Sequence, residues 1–397
     1  MRWRGFLATV AVGAAVAAVG VSPALAATTW TVDPAGNDVL CPITHVCRHI
    51  GVAVFLAAPG DTINVHKGLY NESVTIDKRL TLNGATRPAL VSNCITTAAS
   101  PAFDTVVDPF GGPFVFDIEA DKVSVKGFVL QNANLGVVVD NSAGGLFSGF
   151  TIKQNLIQLT NFAVGETTNG AFPSLVQQNC FRNNDTALFS PGAGPNNDVQ
   201  ITGNKSRQNP SYAYVLEANT STGLALSGNI STTDGVFLRL LRATNFTVSG
   251  NIANTPTTDA LPEHAAMYFG GNTNGTISGN VLSKGTEKGI LFDNLLYGTS
   301  PNTNLSISGN VVSTFPGNGL EATAGSLKNS TLNGNTTKVT GPEGLRLGGG
   351  NFGNSFAGNI FQGKTWGCHV FAAVAMNNWN GNSNIGKPMN TPGTCFP

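Results

Sequence analysis

The stretch Ile277-Ser-Gly-Asn280, which returns as Ile307-Ser-Gly-Asn310, decides the fold of this 397-residue chain. The same order of an apolar residue, a small residue and Gly-Asn occurs seven times, with the asparagines 22 to 30 residues apart. These asparagines are Asn204, Asn229, Asn251, Asn280, Asn310, Asn335 and Asn359, with weaker copies of the pattern at Asn155 and Asn179. A strand-plus-turn unit with this period is typical of a β-solenoid, in which each coil buries its inner face only against its neighbours.

The Gly-Asn pairs are predicted to form the turns between strands. Asparagine tolerates left-handed backbone, and glycine permits close approach of the chain. Stacked on successive coils, the asparagine side chains are expected to hydrogen-bond into a ladder. We therefore interpret these asparagines as structural residues.

A second repeat aligns a glycine with alternating apolar residues, as in Gly235–Arg239, Gly289–Asp293, Gly319–Ala322 and Gly344–Leu347. Because strand side chains alternate between the two faces, every second position is expected to point out of the solenoid. The polar and aromatic residues predicted to gather on this outer face are Tyr214, Glu217, Phe237, Arg239, Arg242, Asp293, Glu321 and Arg346, with Glu263, His264 and Tyr268 nearby.

This outer column is the candidate functional surface. Aromatic faces stack on sugar rings, and arginine pairs with carboxylates. Seven residues are therefore predicted to bind substrate: Tyr214, Glu217, Phe237, Arg239, Arg242, Tyr268 and Arg346. Three are candidate catalytic residues: Asp293, Glu321 and His264.

The spacing of Asp293 and Glu321 supports an acid–base role. Stacked strands lie about 4.8 Å apart and alternate residues about 6.8 Å apart along a strand, which places the two Cα atoms roughly 8 Å apart. Carboxyl groups of inverting glycosidases lie about 6.5–9.5 Å apart. The alternative is a structural one, with Glu321 and Arg346 forming a surface ion pair and His264 a solvated loop histidine without function.

A third acidic group is a candidate metal site. Asp117, Glu119 and Asp121 alternate along a predicted strand, and such carboxylates can hold Ca²⁺. The alternative is a solvated strand edge. No Cys-x-x-Cys pair is present, so zinc binding by cysteines is not expected.

The segment from Pro59 through Gly68-Leu-Tyr-Asn-Glu72 to Gly84 resembles the opening coils of right-handed parallel β-helix proteins of the pectate-lyase-like superfamily. This resemblance implies an all-β fold with a short N-terminal cap that contains a helix. Many members of the group are polysaccharide lyases, hydrolases, esterases or epimerases, and others are adhesins. Gly68-x-Tyr70-x-Glu72 is similar to one motif of pectin methylesterases, but the remaining signatures of that family and of polygalacturonases are missing.

Four segments are predicted along the chain. Residues 1–26 have the basic start, apolar run and Ala-Leu-Ala end of a signal peptide. Residues 27–59 form the N-terminal cap, with a helical stretch near His49 to Ala58. Residues 60–360 form the parallel β-helix, and residues 361–397 the C-terminal cap.

The six cysteines suit a secreted protein with disulfides. Proximity in sequence favours Cys41–Cys47 and Cys368–Cys395, which leaves Cys94–Cys180 as one pairing among the 15 possible.

Composition narrows the function. Charged residues make up 11% of the chain and form no basic patch, so nucleic-acid binding is not expected. Membrane insertion is not expected either, and we expect a secreted monomer. One hypothesis is a protein that binds, and cleaves or modifies, an extracellular polysaccharide as a lyase or glycoside hydrolase. The alternative is a non-enzymatic surface or matrix module.

Overall fold

The computed structural model describes residues 27–94, 97–139, 146–190, 197–257, 261–371 and 376–385. The predicted signal peptide and Cys395 lie outside these residues. Within them the chain is a stack of coils in which every pairing between strands is parallel, as the repeat predicted. Each complete coil carries three short strands, so three parallel sheets run the length of the stack.

The first sheet holds the strands that precede the turns. Its fifteen strands are Thr29–Val32, Val46–Cys47, Thr62–Val65, Thr81–Asn83, Ser124–Lys126, Thr151–Lys153, Ser174–Gln177, Val199–Thr202, Ala225–Ser227, Thr247–Ser249, Thr276–Ser278, Ser306–Ser308, Thr331–Asn333, Ser355–Ala357 and Asn378–Asn380.

The second sheet follows the turns. Its separate strands are Gly68–Tyr70, Thr105–Val107, Cys180–Arg182, Lys205–Arg207, Ile230–Thr232, Ile252–Asn254, Val281–Ser283, Val311–Ser313, Thr336–Lys338, Ile360–Gln362 and Ser383–Ile385. Two long strands, Val129–Val139 and Leu156–Glu166, pass through both the second and the third sheet.

The third sheet carries the glycine-led repeat. Its separate strands are Val74–Ile76, Gly112–Ile118, Thr186–Ser190, Tyr212–Thr222, Val236–Thr244, Ala265–Gly270, Lys288–Phe292, Leu320–Ala322, Glu343–Leu347 and Trp366–Val370. A small pair, Asn302–Thr303 and Leu327–Lys328, lies between the third and first sheets.

The turns form the predicted asparagine ladder. Asn280 is fully buried, and its Nδ2 donates to Asn310 Oδ1 at 2.9 Å and to the Val248 carbonyl at 3.0 Å. The glycine before it, Gly279, has φ of 62°, a conformation that favours glycine. The ladder joins Asn155, Asn179, Asn204, Asn229, Asn251, Asn280, Asn310, Asn335, Asn359 and Asn382.

The cap before the coils contains the predicted helix, which spans Ile50–Leu56. The carboxylate of Glu72 accepts hydrogen bonds from the backbone N–H groups of Ile50 at 2.8 Å and Gly51 at 2.9 Å. Glu72 therefore satisfies the first N–H groups of this helix. In this chain the glutamate of the esterase-like motif therefore has a structural role.

Two further helices are short, Cys41–Thr44 and Pro88–Asn93. The predicted disulfides Cys41–Cys47 and Cys94–Cys180 are both formed. The expected Cys368–Cys395 pairing cannot be placed, because Cys395 lies outside the described residues.

Candidate functional site

One outward position per coil of the third sheet lies in register over seven coils. These positions are Val215, Arg239, Tyr268, Leu291, Glu321, Arg346 and His369. Neighbouring members are separated by one strand spacing, about 4.8 Å. The predicted equivalence of Glu321 and Arg346 on consecutive coils is confirmed.

Two residues expected on this outer face point into the core instead. Tyr214 and Phe237 are both fully buried, and their rings pack edge to face with centroids 5.5 Å apart. Leu238 pairs with Met267, which in turn pairs with Ile290, so Phe237 lines up with Gly289 and not with Leu291. The glycine alignment is therefore two residues out of register at Phe237, and the inward orientation itself arises because consecutive residues are buried at the start of these strands.

Arg239 is the centre of the densest polar group on this face. It forms an ion pair with Glu217 and a second one with Glu263, whose Oε1 lies 3.0 Å from Nη1. The same Nη1 donates to the hydroxyl of Tyr212 at 2.9 Å and to that of Tyr297 at 3.1 Å. We call these five residues the Arg239 cluster.

The Arg239 cluster fastens two loops to the third sheet. Glu263 comes from the loop before Ala265–Gly270, and Tyr297 comes from the loop after Lys288–Phe292. The hydroxyl of Tyr212 donates to Glu263 Oε1 at 3.1 Å, and the hydroxyl of Tyr297 donates to the same oxygen. Burial and the neighbouring carboxylate raise the pKa of Tyr212 and of Tyr297, so both stay protonated as donors.

The carboxylates of Glu217 and Glu263 stabilise the positive charge of Arg239. Burial by itself lowers the pKa of Arg239, but the hydrogen bond to Glu263 and the charge of Glu217 raise it overall. Its guanidinium carbon also lies 4.7 Å from the ring centre of Tyr212 and 5.2 Å from that of Tyr297. Within the cluster the cation is thus paired, stacked and partly covered.

Asp293 has a separate set of partners. Its carboxylate accepts hydrogen bonds from Tyr268 at 2.8 Å, Thr323 at 2.5 Å and the Leu296 N–H at 2.9 Å. Burial raises the pKa of Asp293, but these hydrogen bonds outweigh it and the net shift is downward. Tyr268 packs edge to face on Tyr297 at 5.4 Å, which links Asp293 to the Arg239 cluster.

The expected ion pair between Glu321 and Arg346 is wrong. Glu321 Oε2 lies 3.4 Å from Lys288 Nζ and accepts a hydrogen bond from Asn318 at 2.8 Å. Arg346 Nε lies 3.9 Å from Glu343 Oε2. Each member of the predicted pair therefore has a nearer partner elsewhere on the sheet.

The sequence analysis missed a carboxylate–histidine pair at the far end of the column. Glu343 Oε1 lies 2.5 Å from His369 Nδ1, and the carboxylate is 4% exposed while the imidazole is 25% exposed. The imidazole also packs on the rings of Trp366 and Phe371, with ring centres 4.2 Å and 4.0 Å away. A carboxylate at Nδ1 favours a proton on that nitrogen and leaves Nε2 as a proton acceptor.

The remaining predicted residues lie apart from these groups. His264 is exposed, and its Nδ1 lies 3.6 Å from Glu287 Oε1. Arg242 is half-buried with φ of 58°, and it has no ion-pair partner among the described residues.

The acidic residues proposed for Ca²⁺ do not form one face of a strand. The strand Gly112–Ile118 ends before Glu119 and Asp121, and Asp121 accepts a hydrogen bond from the Ser148 N–H at 2.7 Å. In the described part of the chain no group of three or more carboxylate, histidine or cysteine side chains is placed to hold a metal ion.

Comparisons with known proteins agree with this architecture. A family model described as the right handed beta helix region matches residues 230–361. The Dettilon tailspike protein superposes with a TM-score of 0.50 at 12% identity, over 83% of this chain and 63% of the tailspike chain. The A-module of the Azotobacter vinelandii mannuronan C-5 epimerase gives a TM-score of 0.50 at 11% identity, over 86% of this chain and 95% of the module. No curated protein sequence gives a significant match. The fold is a right-handed parallel β-helix.

On this β-helix the polar groups of the third sheet divide into a covered part and an open part. The Arg239 cluster and Asp293 lie under the loop that carries Tyr297. The open part holds Lys288, Arg346, Trp366, His369 and Phe371, which border the buried carboxylates of Glu321 and Glu343.

Sequence signals existed for some of the missed residues. Four of the five tyrosines of the chain belong to the segment 212–297, and this scarcity elsewhere singles out Tyr212 and Tyr297. No comparable feature of the sequence pointed to Glu343 and His369, because His369 lies in the segment predicted to be the C-terminal cap.

Proposed function

We propose that this β-helix binds an extracellular polysaccharide along the outer face of the third sheet and modifies it there. The observation that carries the proposal is the column of aligned side chains on the third sheet, in which Arg346 and His369 are accessible on consecutive coils. A ligand with a regular repeat, lying across the coils, meets a new side chain at each step of about 4.8 Å. An extended sugar chain has such a repeat.

The open part of the third sheet has the chemistry for carbohydrate binding. Phe371 is 39% exposed and Trp366 is half-buried, and both rings contact the imidazole of His369. The side chain of Arg346 is 43% exposed and can donate to a carboxylate or to hydroxyl groups. Glu321 and Lys288 extend this polar surface toward the Tyr297 loop.

Proton transfer to or from the bound sugar is assigned to the open part. His369 Nε2 is the proposed base, because Glu343 fixes the imidazole through Nδ1. Glu321 is the nearest candidate partner in the same column, with Arg346 between them in register. Asp293 stays ionised with three donors, so its proposed role is to position Tyr268 and the loop. His264 remains a candidate only if the ligand extends past Glu287.

One named neighbour and the two disulfides support this proposal. The mannuronan epimerase takes its name from a polysaccharide, although the likeness itself extends to the fold alone. Two disulfides suit an extracellular protein. None of the helices in the described residues is long and apolar enough to cross a membrane.

A second candidate function is a non-enzymatic matrix or adhesion module. It is favoured by the Arg239 cluster, in which the charges are paired within the protein and covered by Tyr297. On this alternative the outer column is a stable wall and its open part binds sugar without changing it.

A glycan screen separates the two functions. Purified protein is incubated with neutral and uronic-acid polysaccharides, and binding, new reducing ends and absorbance of unsaturated products are measured. Arg346→Ala is expected to weaken binding, and His369→Gln is expected to abolish turnover while binding remains. Lys338→Ala, an exposed lysine of the second sheet, serves as the control. Turnover that survives His369→Gln rejects the proposed base, binding without turnover supports the module, and the absence of binding to every glycan rejects both.

A further inference from the structure

A groove of about 540 Å³ lies at a different edge of the β-helix, where the first sheet turns into the second. One wall is the helix Pro88–Asn93, which contributes Pro88, Val91 and Ser92. The other wall is the turn backbone of five successive coils, with lining residues Gly84, Lys126, Gly127, Gln154, Gln178, Asn179, Gly203 and Lys205. None of these residues belongs to the third-sheet site.

The two walls are fastened to each other. The disulfide Cys94–Cys180 joins the end of the helical segment to the second sheet. Leu90 and Val91 pack with Val129 and Leu156 in a small apolar cluster of their own. Lys205 Nζ donates to the Ser92 carbonyl at 2.5 Å, across the groove. The groove is therefore held open by covalent, apolar and polar contacts together.

The lining has a distinctive charge and hydrogen-bonding character. Lys126 and Lys205 are its charged residues, and no carboxylate lines it. Gln154 Nε2 donates to Gln178 Oε1 at 3.2 Å, and no other hydrogen bond from either amide occurs among the described residues. This leaves Gln154 Oε1 as an acceptor and Gln178 Nε2 as a donor. The hydroxyl of Thr86, also in the lining, is buried without a partner.

We infer that this groove binds a small hydroxyl-rich anion, a sugar carboxylate or a sugar phosphate. The lysines attract the anionic group, and the glutamine amides with Thr86 match the hydroxyl groups. The volume falls within the range of about 300–1,000 Å³ that is usual for small-molecule sites. The site is independent of the third-sheet surface, so either proposal can fail without the other.

Gly203 gives this site a sharp structural test. In the coils before it the same turn position carries Gln154 and Gln178, with φ of 53° and 54°, and at Gly203 φ is 62°. A Cβ at Gly203 would lie 3.7 Å from Gln178 Cγ, so a side chain there extends the glutamine row into the groove. Gly228 on the next coil has the same φ of 62°, open space around its Cβ and no part in the lining.

The experiment is calorimetric titration of the full chain with D-glucuronate and with glucose 6-phosphate, with D-glucose as the neutral reference and inorganic phosphate as the anion without a sugar. We expect binding of at least one anion, weakened about tenfold or more by Lys126→Ala and by Gly203→Asn. Gly228→Asn and Lys338→Ala are the matched controls and are expected to leave the affinity unchanged. Asparagine tolerates left-handed backbone, and circular dichroism verifies that each variant is folded.

Each outcome bears on the inference. The preferred anion shows whether a carboxylate or a phosphate is the recognised group. Equal affinity for D-glucose would overturn the anionic assignment, and equal affinity for inorganic phosphate would overturn the sugar assignment. Absence of binding, or equal losses in Gly203→Asn and Gly228→Asn, would overturn the site.

Discussion

Substitution of Asn280 by alanine tests the physical basis of the fold. Asn280 accepts hydrogen bonds from the Asn251 backbone N–H at 3.1 Å and from Asn251 Nδ2 at 2.9 Å. It donates to Asn310 Oδ1 at 2.9 Å and to the Val248 carbonyl at 3.0 Å. Asn310 Oδ1 keeps a second donor, the Asn280 backbone N–H at 3.1 Å. Alanine therefore leaves two buried donors of Asn251 without partners, its backbone N–H and one hydrogen of its Nδ2, whereas the Val248 carbonyl stays in a strand that is paired with the next coil.

The expected loss follows from these two donors. A buried polar group without a partner costs about 1–3 kcal/mol, so Asn280→Ala is expected to lower the free energy of unfolding by about 2 kcal/mol or more. With a urea m-value near 3 kcal/mol/M, the unfolding midpoint falls by about 0.7 M. The assay is urea unfolding followed by far-UV circular dichroism, with all variants under identical conditions.

The matched control is Asn333→Ala in the same sheet. Asn333 is exposed, and its register partner on the next coil is Ala357, so alanine fits this position. Its substitution is expected to change stability by less than about 0.5 kcal/mol. If Asn280→Ala shifts the midpoint no more than Asn333→Ala does, the ladder does not stabilise the stack and the reasoning fails.

Three further predictions concern buried charge and the disulfide. Burial raises the pKa of Asp234, so its ionised form weakens the fold as pH rises above about 4. Asp234→Asn keeps the acceptor for Asn209 and should raise the urea midpoint more at pH 8 than at pH 4. Equal shifts at the two pH values would contradict this. Hydrogen bonds lower the pKa of Asp293, so its contribution to stability is present above about pH 4 and is lost as pH falls through the pKa of the folded state. The loss of thermal stability in Asp293→Asn should therefore be smaller in acid. A loss that does not depend on pH would argue against this. The Cys94–Cys180 disulfide closes a separation of 86 residues, so replacing both cysteines by serine should lower the free energy of unfolding by up to about 4–5 kcal/mol in the chain-entropy model. If reduction of the native protein leaves its thermal unfolding unchanged, this prediction is refuted.

Local patterns predicted the parts of the fold that depend on local backbone chemistry. The Gly-Asn turns recur because a left-handed glycine and a buried asparagine satisfy the same corner on every coil, as at Gly279 and Asn280. The final rung at Asn382 follows Gly381 with φ of 59°, so it obeys the same rule although the sequence analysis did not count it.

The candidate site was predicted only in part, because the strands of the third sheet do not alternate between buried and outward residues along their whole length. Arg239, Glu321 and Arg346 lie on the outer face as expected, whereas Phe237 and Tyr214 lie in the core. Where the chain turns the corner into the third sheet, Phe237 and Leu238 are both buried, which breaks the alternation on which the alignment relied.

The sequence by itself determined the stack of coils, its turns and the wall on which polar side chains gather, because those features repeat along the chain. Only the tertiary structure decided the partners on that wall. It joined Arg239 to Tyr297, and Glu343 to His369, which lie 58 and 26 residues apart along the chain. Such contacts depend on how loops of unequal length fold back over the coils, and no repeating pattern in the sequence encodes that.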